Sequence, residues 1–208
     1  TEAVPELVAT DPGYVDVTLA HLASMRSGIR YRDHDLPWGD KPLSYYHPEL
    51  RRLATRLPLA GDPGTHFVYN TWNTVLLGMA LERIAGASVP DLTERELWGP
   101  LGAEHDASWS LDSERDGMAK MESGFNAAPV DFLKLGRLLL DGGRVGGEAV
   151  LPPSYVRRVT RTDPASRVGE GLHYQLGRWL HVQDRGEPWA IAAWGHLGQF
   201  VYAFPRQD

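Results

Sequence analysis

The stretch PGTHFVYNTWNTVLLGMALERIAG, residues 63–86, passes through three backbone regimes in succession. Asp62-Pro63-Gly64 reads as a turn, because proline presets one φ and glycine tolerates the positive φ that other residues avoid. His66-Phe67-Val68-Tyr69 is a short extended piece. From about Asn73 to Ala85 the spacing predicts a helix. Val75, Leu76, Met79, Ala80 and Ile84 share one broad apolar face, and Gly86 is the stop. Gly78 inside this helix costs about 1 kcal/mol of propensity relative to alanine, a cost that close packing by a neighbour would explain.

On the N-terminal side, residues 1–16 read as an extended surface segment. Thr18 suits the cap of a helix over LAHLASM that buries Leu19, Leu22 and Met25 and ends at Ser27-Gly28. Residues 30–46 lack a period and read as a long loop. A short helical run follows from His47 to about Leu57, with Pro48 in its first turn.

On the C-terminal side, Ser88 caps a short helix over 88–98. Residues 99–128 are glycine-punctuated, with room for a hairpin whose strands the pattern does not place. Another helix spans Pro129–Leu140, with Phe132, Leu135 and Leu139 on one face and Asp141-Gly142-Gly143 ending it. A helical run covers Pro153–Val159. Then the period changes. YQLGRWLHV (174–182) and WAIAAWGHLGQFVYAF (189–204) are rich in aromatic and β-branched residues, with DRGEP between them. They predict three strands, with a reversal near His196–Gln199. The architecture is α+β, a helical and loop region over 17–160 with antiparallel strands over 172–205. Residues 1–208 read as one partial domain, incomplete at both ends.

Composition narrows the chemistry. The 208 residues are 42% hydrophobic and 23% charged, as in a globular chain. With 27 acidic against 21 basic side chains the net charge is −6, and no basic block stands out. A nucleic-acid partner is therefore not expected, since phosphate binding needs a positive face. The absence of cysteine excludes disulfides, thiolate catalysis and cysteine-ligated metal. No apolar run approaches the roughly 20 residues of a spanning helix. The compartment is not assigned: Thr1 is not a natural start, and both ends read as cut from something longer. Glu104-His105-Asp106 and Asp33-His34-Asp35 are spaced too tightly for three ligands on one ion and read as solvated loops, so no metal site is expected. Ser24 and Ser27 have neither a lysine partner nor a G-x-S-x-G elbow and read as structural.

Several segments, in this order, resemble the β-lactamase-like serine hydrolases, which include class C β-lactamases, D,D-peptidases, esterases and amidases that cleave 6-aminohexanoate dimers. TLAHLASMRSGI (18–29) is similar to the family's ITxRHLLxHTSGI. Residues 63–86 resemble PGxxFxYSNxxYxLLGxxIExxxG. FNAAPVDFLKLGRLLLDGGRVGGEAVLP (125–152) and WGHLGQFVYAFP (194–205) resemble the segments that follow, the last being the strand of the Lys-Thr-Gly motif. Residues 98–107 and the GQFVYAFP tail lean toward the 6-aminohexanoate-dimer hydrolase branch.

The resemblance implies a Ser-x-x-Lys nucleophile pair, which this chain lacks. Three residues before Lys41, Lys120 and Lys134 stand Trp38, Gly117 and Asp131. The pair is expected upstream of Thr1, in a missing N-terminal portion of the same protein. Tyr69 takes the place of the family's catalytic tyrosine, which helps deprotonate the serine and returns the proton to the leaving group. A free phenol titrates near 10, so this role needs a cation, which the upstream lysine would supply. Without the resemblance, the spacing alone reads Tyr69 as a core tyrosine in an extended segment. Thr71 stands where many relatives have the asparagine that touches the substrate amide. Asn70 is one position off, and Asn73 reads as a helix-end or pocket residue. His196-Leu197-Gly198 occupies the Lys-Thr-Gly position without its cation or hydroxyl. His196 either assists proton transfer or is a strand histidine bonded to backbone. Gly198 permits close approach of substrate, and the Gln199 backbone N–H is expected to form half of an oxyanion hole. Trp38, Tyr45 and Tyr46 either roof a pocket or pack on the surface. The resemblance thus implies two-step acyl transfer on a small ester or amide, without cofactor. The competing readings are a β-lactamase or penicillin-binding activity and a non-catalytic relative.

Overall fold

The computed structural model describes residues 2–33, 36, 38–183, 187–196 and 198–205. The chain divides into two compact units, residues 1–92 with 108–126 and residues 93–107 with 127–208.

The first unit begins with α1 (Glu6–Thr10), a 3-10 turn (Pro12–Asp16), α2 (Leu19–Ala23), α3 (Asp40–Tyr46) and α4 (Leu50–Ala54). It continues with α5 (Thr71–Ala85), α6 (Val89–Thr93) and the two-stranded hairpin β1 (Ser108–Trp109) and β2 (Phe125–Asn126). Helix α5 is the spine of its core. Trp72, Val75, Leu76, Met79 and Ala80 are buried among Tyr14, Leu22, Leu50 and Ala54. The helix starts two residues before the expected Asn73, because the Asn70 side chain accepts a hydrogen bond from Trp72 N at 2.9 Å and caps it. Asn70 Nδ2 also donates to Ile29 O, which ties the cap to the neighbouring segment. Gly86 ends the helix at φ +64. Ile84, expected on the apolar face, is exposed, because the buried positions of α5 end at Ala80. Gly78 is explained by contact: a Cβ there would lie 2.4 Å from Met121 Cγ.

Thr18 caps α2 with a reciprocal box, its Oγ1 accepting from His21 N and its N–H donating to His21 Nδ1. Leu22 and Met25 are buried as expected, whereas Leu19 is exposed. The helix stops at Ala23 rather than at Ser27-Gly28. The next residues are drawn into pairing with residues 58–68: Gly64 N donates to Arg26 O, Val68 N to Met25 O and Ala60 N to Gly28 O. Gly28 sits at φ +79, where an added Cβ would overlap Gly61 O.

The expected loop over 30–46 contains α3, and its cause is tertiary. The buried Asp40 carboxylate accepts from Arg32 N at 2.5 Å and from Trp72 Nε1 at 3.2 Å. Helix α4 is shorter than the expected run to Leu57. At its start, Leu50 N donates to Asp112 Oδ2, a partner far along the chain. Ser88 caps α6 as expected, accepting from Asp91 N.

The second unit contains a π turn (Glu94–Trp98), α7 (Gly99–Leu101), α8 (Pro129–Leu140), the hairpin β3 (Arg144–Val145) with β4 (Glu148–Ala149), and α9 (Pro153–Val159). An antiparallel five-stranded sheet follows: β5 (Arg167–Gly169), β6 (Leu172–Gln175), β7 (Arg178–Val182), β8 (Pro188–Trp194) and β9 (Phe200–Ala203), adjacent in chain order. Helices α8 and α9 match their expected bounds. The sheet has five strands rather than three, because YQLGRWLHV is two strands and β5 precedes residue 172. Leu176 and Gly177, at φ +46 and +87, make the tight turn between β6 and β7. Positive φ at both central residues suits the twist of a two-residue hairpin, but leucine is not the residue that announces one.

Leu139 of α8 and Val159 of α9 pack with Leu180, Ile191 and Ala203 on one face of this sheet. An added Cβ at Gly136 would lie 3.2 Å from Val201 Cγ1, so glycine lets α8 approach β9 closely. Elsewhere on the sheet aromatic rings cluster. Trp179 stacks on Trp194 at 4.7 Å, and the His181 ring lies 5.2–5.8 Å from Trp194, Trp189 and Tyr202. Helices and an antiparallel sheet together make the expected α+β fold.

Candidate active site

In the first unit the segment between the Pro63 turn and α5 presents Tyr69. The backbone is held on both sides of it, by Val68 N on Met25 O and by the Asn70 cap. Asn70 is buried, so it serves the fold and offers nothing to a substrate. Tyr69 is 47% exposed, yet the packed chain around it pushes its phenol above the ordinary value. Burial disfavours its phenolate, so the packing around Tyr69 favours the protonated form.

Thr71 is the first residue of α5 and accepts a hydrogen bond from Ser44 Oγ of α3 at 3.3 Å. Tyr31 joins this group: burial raises its phenol, and a hydrogen bond to Thr71 opposes the shift. Asn73 is buried, with Nδ2 on Met25 Sδ and Oδ1 unbonded. Together with the Asp40–Trp72 bond, the Ser44–Thr71 bond fastens α3 to the start of α5 just behind Tyr69.

Tyr45 lies near the end of α3, 46% exposed and edge-on to Tyr46 at 4.9 Å. Its carbonyl accepts from Lys120 Nζ at 2.6 Å, and its ring lies 4.9 Å from the same ammonium. Trp38 is exposed in the turn before α3. Two residues beyond Lys120, burial pushes the Glu122 carboxyl up to about 7, against the pull of the Lys120 charge and the Ser123 hydroxyl. One of its oxygens, Oε2, is buried without a hydrogen-bond partner. Sequence reasoning missed Lys120, Glu122 and Ser44, because nothing in their spacing marks them. Ser44 lies within α3 itself, and the packing of residues 108–126 brings Lys120 to the end of that helix.

A cavity of about 30 Å³ in the same unit is lined by Val4, Leu7, Tyr14, Leu22 and Leu76. It has room for about one water, and Tyr69 is not among its lining residues.

In the second unit the turn between β8 and β9 carries the other candidates. Trp194 pairs with Phe200, and Gly195 N donates to Gln199 O at 2.7 Å, which closes the turn. Among the described residues no backbone carbonyl accepts from the Gln199 N–H. Gly198 adopts φ +97, a conformation that favours glycine. His196 is exposed in the turn rather than part of a strand. Leu197 lies outside the described residues. Glu104 and His105 are committed elsewhere: the buried Asp131 accepts from both of their backbone N–H groups, and Asp131 Oδ2 and the His105 ring Nδ1 are 3.1 Å apart. Lys134 bridges Glu104 and Asp131. His34 and Asp35 lie outside the described residues. Among the described residues no helix is long and apolar enough to cross a membrane.

The fold agrees with that of known proteins. The chain is 31% identical over 160 residues to a 6-aminohexanoate-dimer hydrolase of Paenarthrobacter ureafaciens, a match that covers 72% of this chain and 39% of that relative. It therefore spans well under half the length of that protein. Among solved structures it is similar to a protein assigned as a 6-aminohexanoate-dimer hydrolase from Bacillus anthracis, with TM-score 0.81, 20% identity, and coverage of 96% of this chain and 57% of that one. A penicillin-binding protein from Bacillus halodurans superposes with TM-score 0.66 at 17% identity, covering 98% and 74%. At such identities these likenesses speak for the fold alone. The Beta-lactamase family profile matches residues 1–208, the whole length of the chain. The chain belongs to the Beta-lactamase family.

Proposed function

We propose that the protein containing this chain is a serine hydrolase that cleaves a small ester or amide through an acyl-enzyme. Its nucleophilic serine and partner lysine are supplied from outside these 208 residues. The observation that carries the reading is Tyr69, half-exposed on a segment locked between Met25 and the Asn70 cap at the mouth of α5. Burial alone raises its phenol, so it takes up a proton from serine only when a cation stands beside it. A lysine arriving with the serine meets that need and makes Tyr69 the proton carrier of both half-reactions. The Gln199 N–H stabilises the charge that develops on the carbonyl oxygen, with the serine's own N–H as the second donor. His196 stands where the family has a lysine, so the carboxylate recognition typical of β-lactam substrates is not supplied from this turn. The 31% identity to a 6-aminohexanoate-dimer hydrolase supports a small amide or ester of that kind as substrate.

The test is intact mass of the complete protein before and after a fluorophosphonate probe, with hydrolysis of p-nitrophenyl acetate measured alongside. One adduct on a serine outside residues 1–208, with turnover lost in parallel, is expected. A complete protein that neither takes up the probe nor turns over the ester is a non-catalytic member of the family, and the proposal falls.

A further inference from the structure

Lys120 stands apart from the cations engaged in ion pairs. Lys134 is paired with Glu104 and Asp131, Arg51 with Glu82, and Arg83 with Glu6. Lys120 makes no ion pair with another described residue, yet it is held firmly. Its ammonium donates to Tyr45 O at 2.6 Å and sits 4.9 Å from the Tyr45 ring. A carbonyl and a ring face orient a charge without neutralising it, and an ammonium has two more N–H groups to offer. The nearest acid along the chain, Glu122, has its carboxyl pushed up to about 7 by burial, so it carries less than a full charge near neutral pH. The position is also specific. Tyr45 follows Ser44, and Ser44 is bonded to Thr71, two residues after Tyr69.

We infer that Lys120, presented by Tyr45 next to the Tyr69–Thr71 segment, is a specificity-determining residue that binds an anionic group, a carboxylate, on the acyl substrate. This rests on the hydrolase reading above. It gives the protein a cation that the His196 turn does not supply. The bond it offers is charge-assisted, and loss of one such bond weakens binding by about 10- to 100-fold.

The experiment uses the complete protein and two substrates, p-nitrophenyl acetate and the mono-p-nitrophenyl ester of glutaric acid. Lys120→Met is expected to raise KM for the glutarate ester at least 10-fold with kcat little changed, which is loss of uniform binding. It should leave the acetate ester within about 2-fold, and Lys120→Arg should recover most of the loss. In the unaltered protein, added salt should raise KM for the glutarate ester only. If Lys120→Met changes both esters alike or neither, or if salt acts on both equally, the assignment of Lys120 is wrong while the hydrolase stands. If the unaltered protein hydrolyses neither ester and takes up no fluorophosphonate, the hydrolase reading itself has failed, and the role of Lys120 goes with it.

Discussion

Replacing Glu122 by glutamine isolates a single buried carboxyl and predicts an unusual sign for the pH dependence of stability. The Glu122 carboxyl titrates at about 7 in the folded chain against 4.5 in the unfolded chain, chiefly because burial penalises its charged form. An acid raised in this way costs nothing below pH 4.5, where both states hold the proton. Between 4.5 and 7 the unfolded state releases its proton first, so stability falls by about 1.4 kcal/mol per pH unit until the folded state also ionises. Integrated from pH 5 to pH 8, this one group removes about 2.5 kcal/mol. Glutamine cannot ionise, and it inherits the unbonded position of Oε2 at every pH. That inherited cost, about 1–3 kcal/mol, shifts the variant's whole curve without changing its slope. The measurement is urea unfolding of parent and Glu122→Gln at pH 5 and pH 8. The difference in stability, variant minus parent, should be more favourable by about 2.5 kcal/mol at pH 8 than at pH 5. A difference that is the same at both pH values, or that moves the other way, would refute the claim that Glu122 is held neutral. The charges acting on it are Lys120, which opposes the shift, and Asp112, which adds to it.

Three further perturbations follow from named contacts. Tyr69→Phe in the complete protein should lower kcat by about 10²- to 10⁴-fold with an unchanged melting temperature, read by ester hydrolysis and thermal unfolding. A variant of near-parental rate would remove Tyr69 from the chemistry. Asn70→Ala deletes both the cap on Trp72 N and the bond to Ile29 O, and denaturant unfolding should show a loss of about 2–3 kcal/mol. Gly78→Leu drives a side chain into Met121 and should cost about 1–3 kcal/mol. Pairing it with Met121→Ala should restore part of the loss, whereas simple additivity would mean that the two positions do not touch.

Local chemistry in the sequence was enough for the elements whose causes are local. Thr18 and Ser88 cap helices where they were expected to, Pro129 and Asp141-Gly142-Gly143 bracket α8, and Pro153–Val159 is helical. Asn70 shows the margin of such reading: its cap moves the start of α5 by two residues, and the apolar period alone does not reveal it. The order of family-like segments also singled out Tyr69 and the Gly198–Gln199 turn as candidates, because the order of motifs along a chain survives without any knowledge of packing.

What escaped the sequence has its cause far along the chain. Helix α3 has no period of its own and exists beside Trp72 because Asp40 accepts the indole N–H. Leu176 takes a positive φ between two strands because the β6–β7 ladder closes around it, against the preference of leucine. The end of α2 is set by residues 58–68 rather than by Gly28. Lys120 and Glu122 lie about fifty residues from Tyr69 in sequence, and no spacing rule joins them. The sequence by itself determined the α+β class and the family, because periodicity, caps and motif order are written locally. Tertiary structure alone decided that Lys120 meets Tyr45 and that the Glu122 carboxyl is lifted, because burial and charge proximity belong to the packed chain and to no stretch of it.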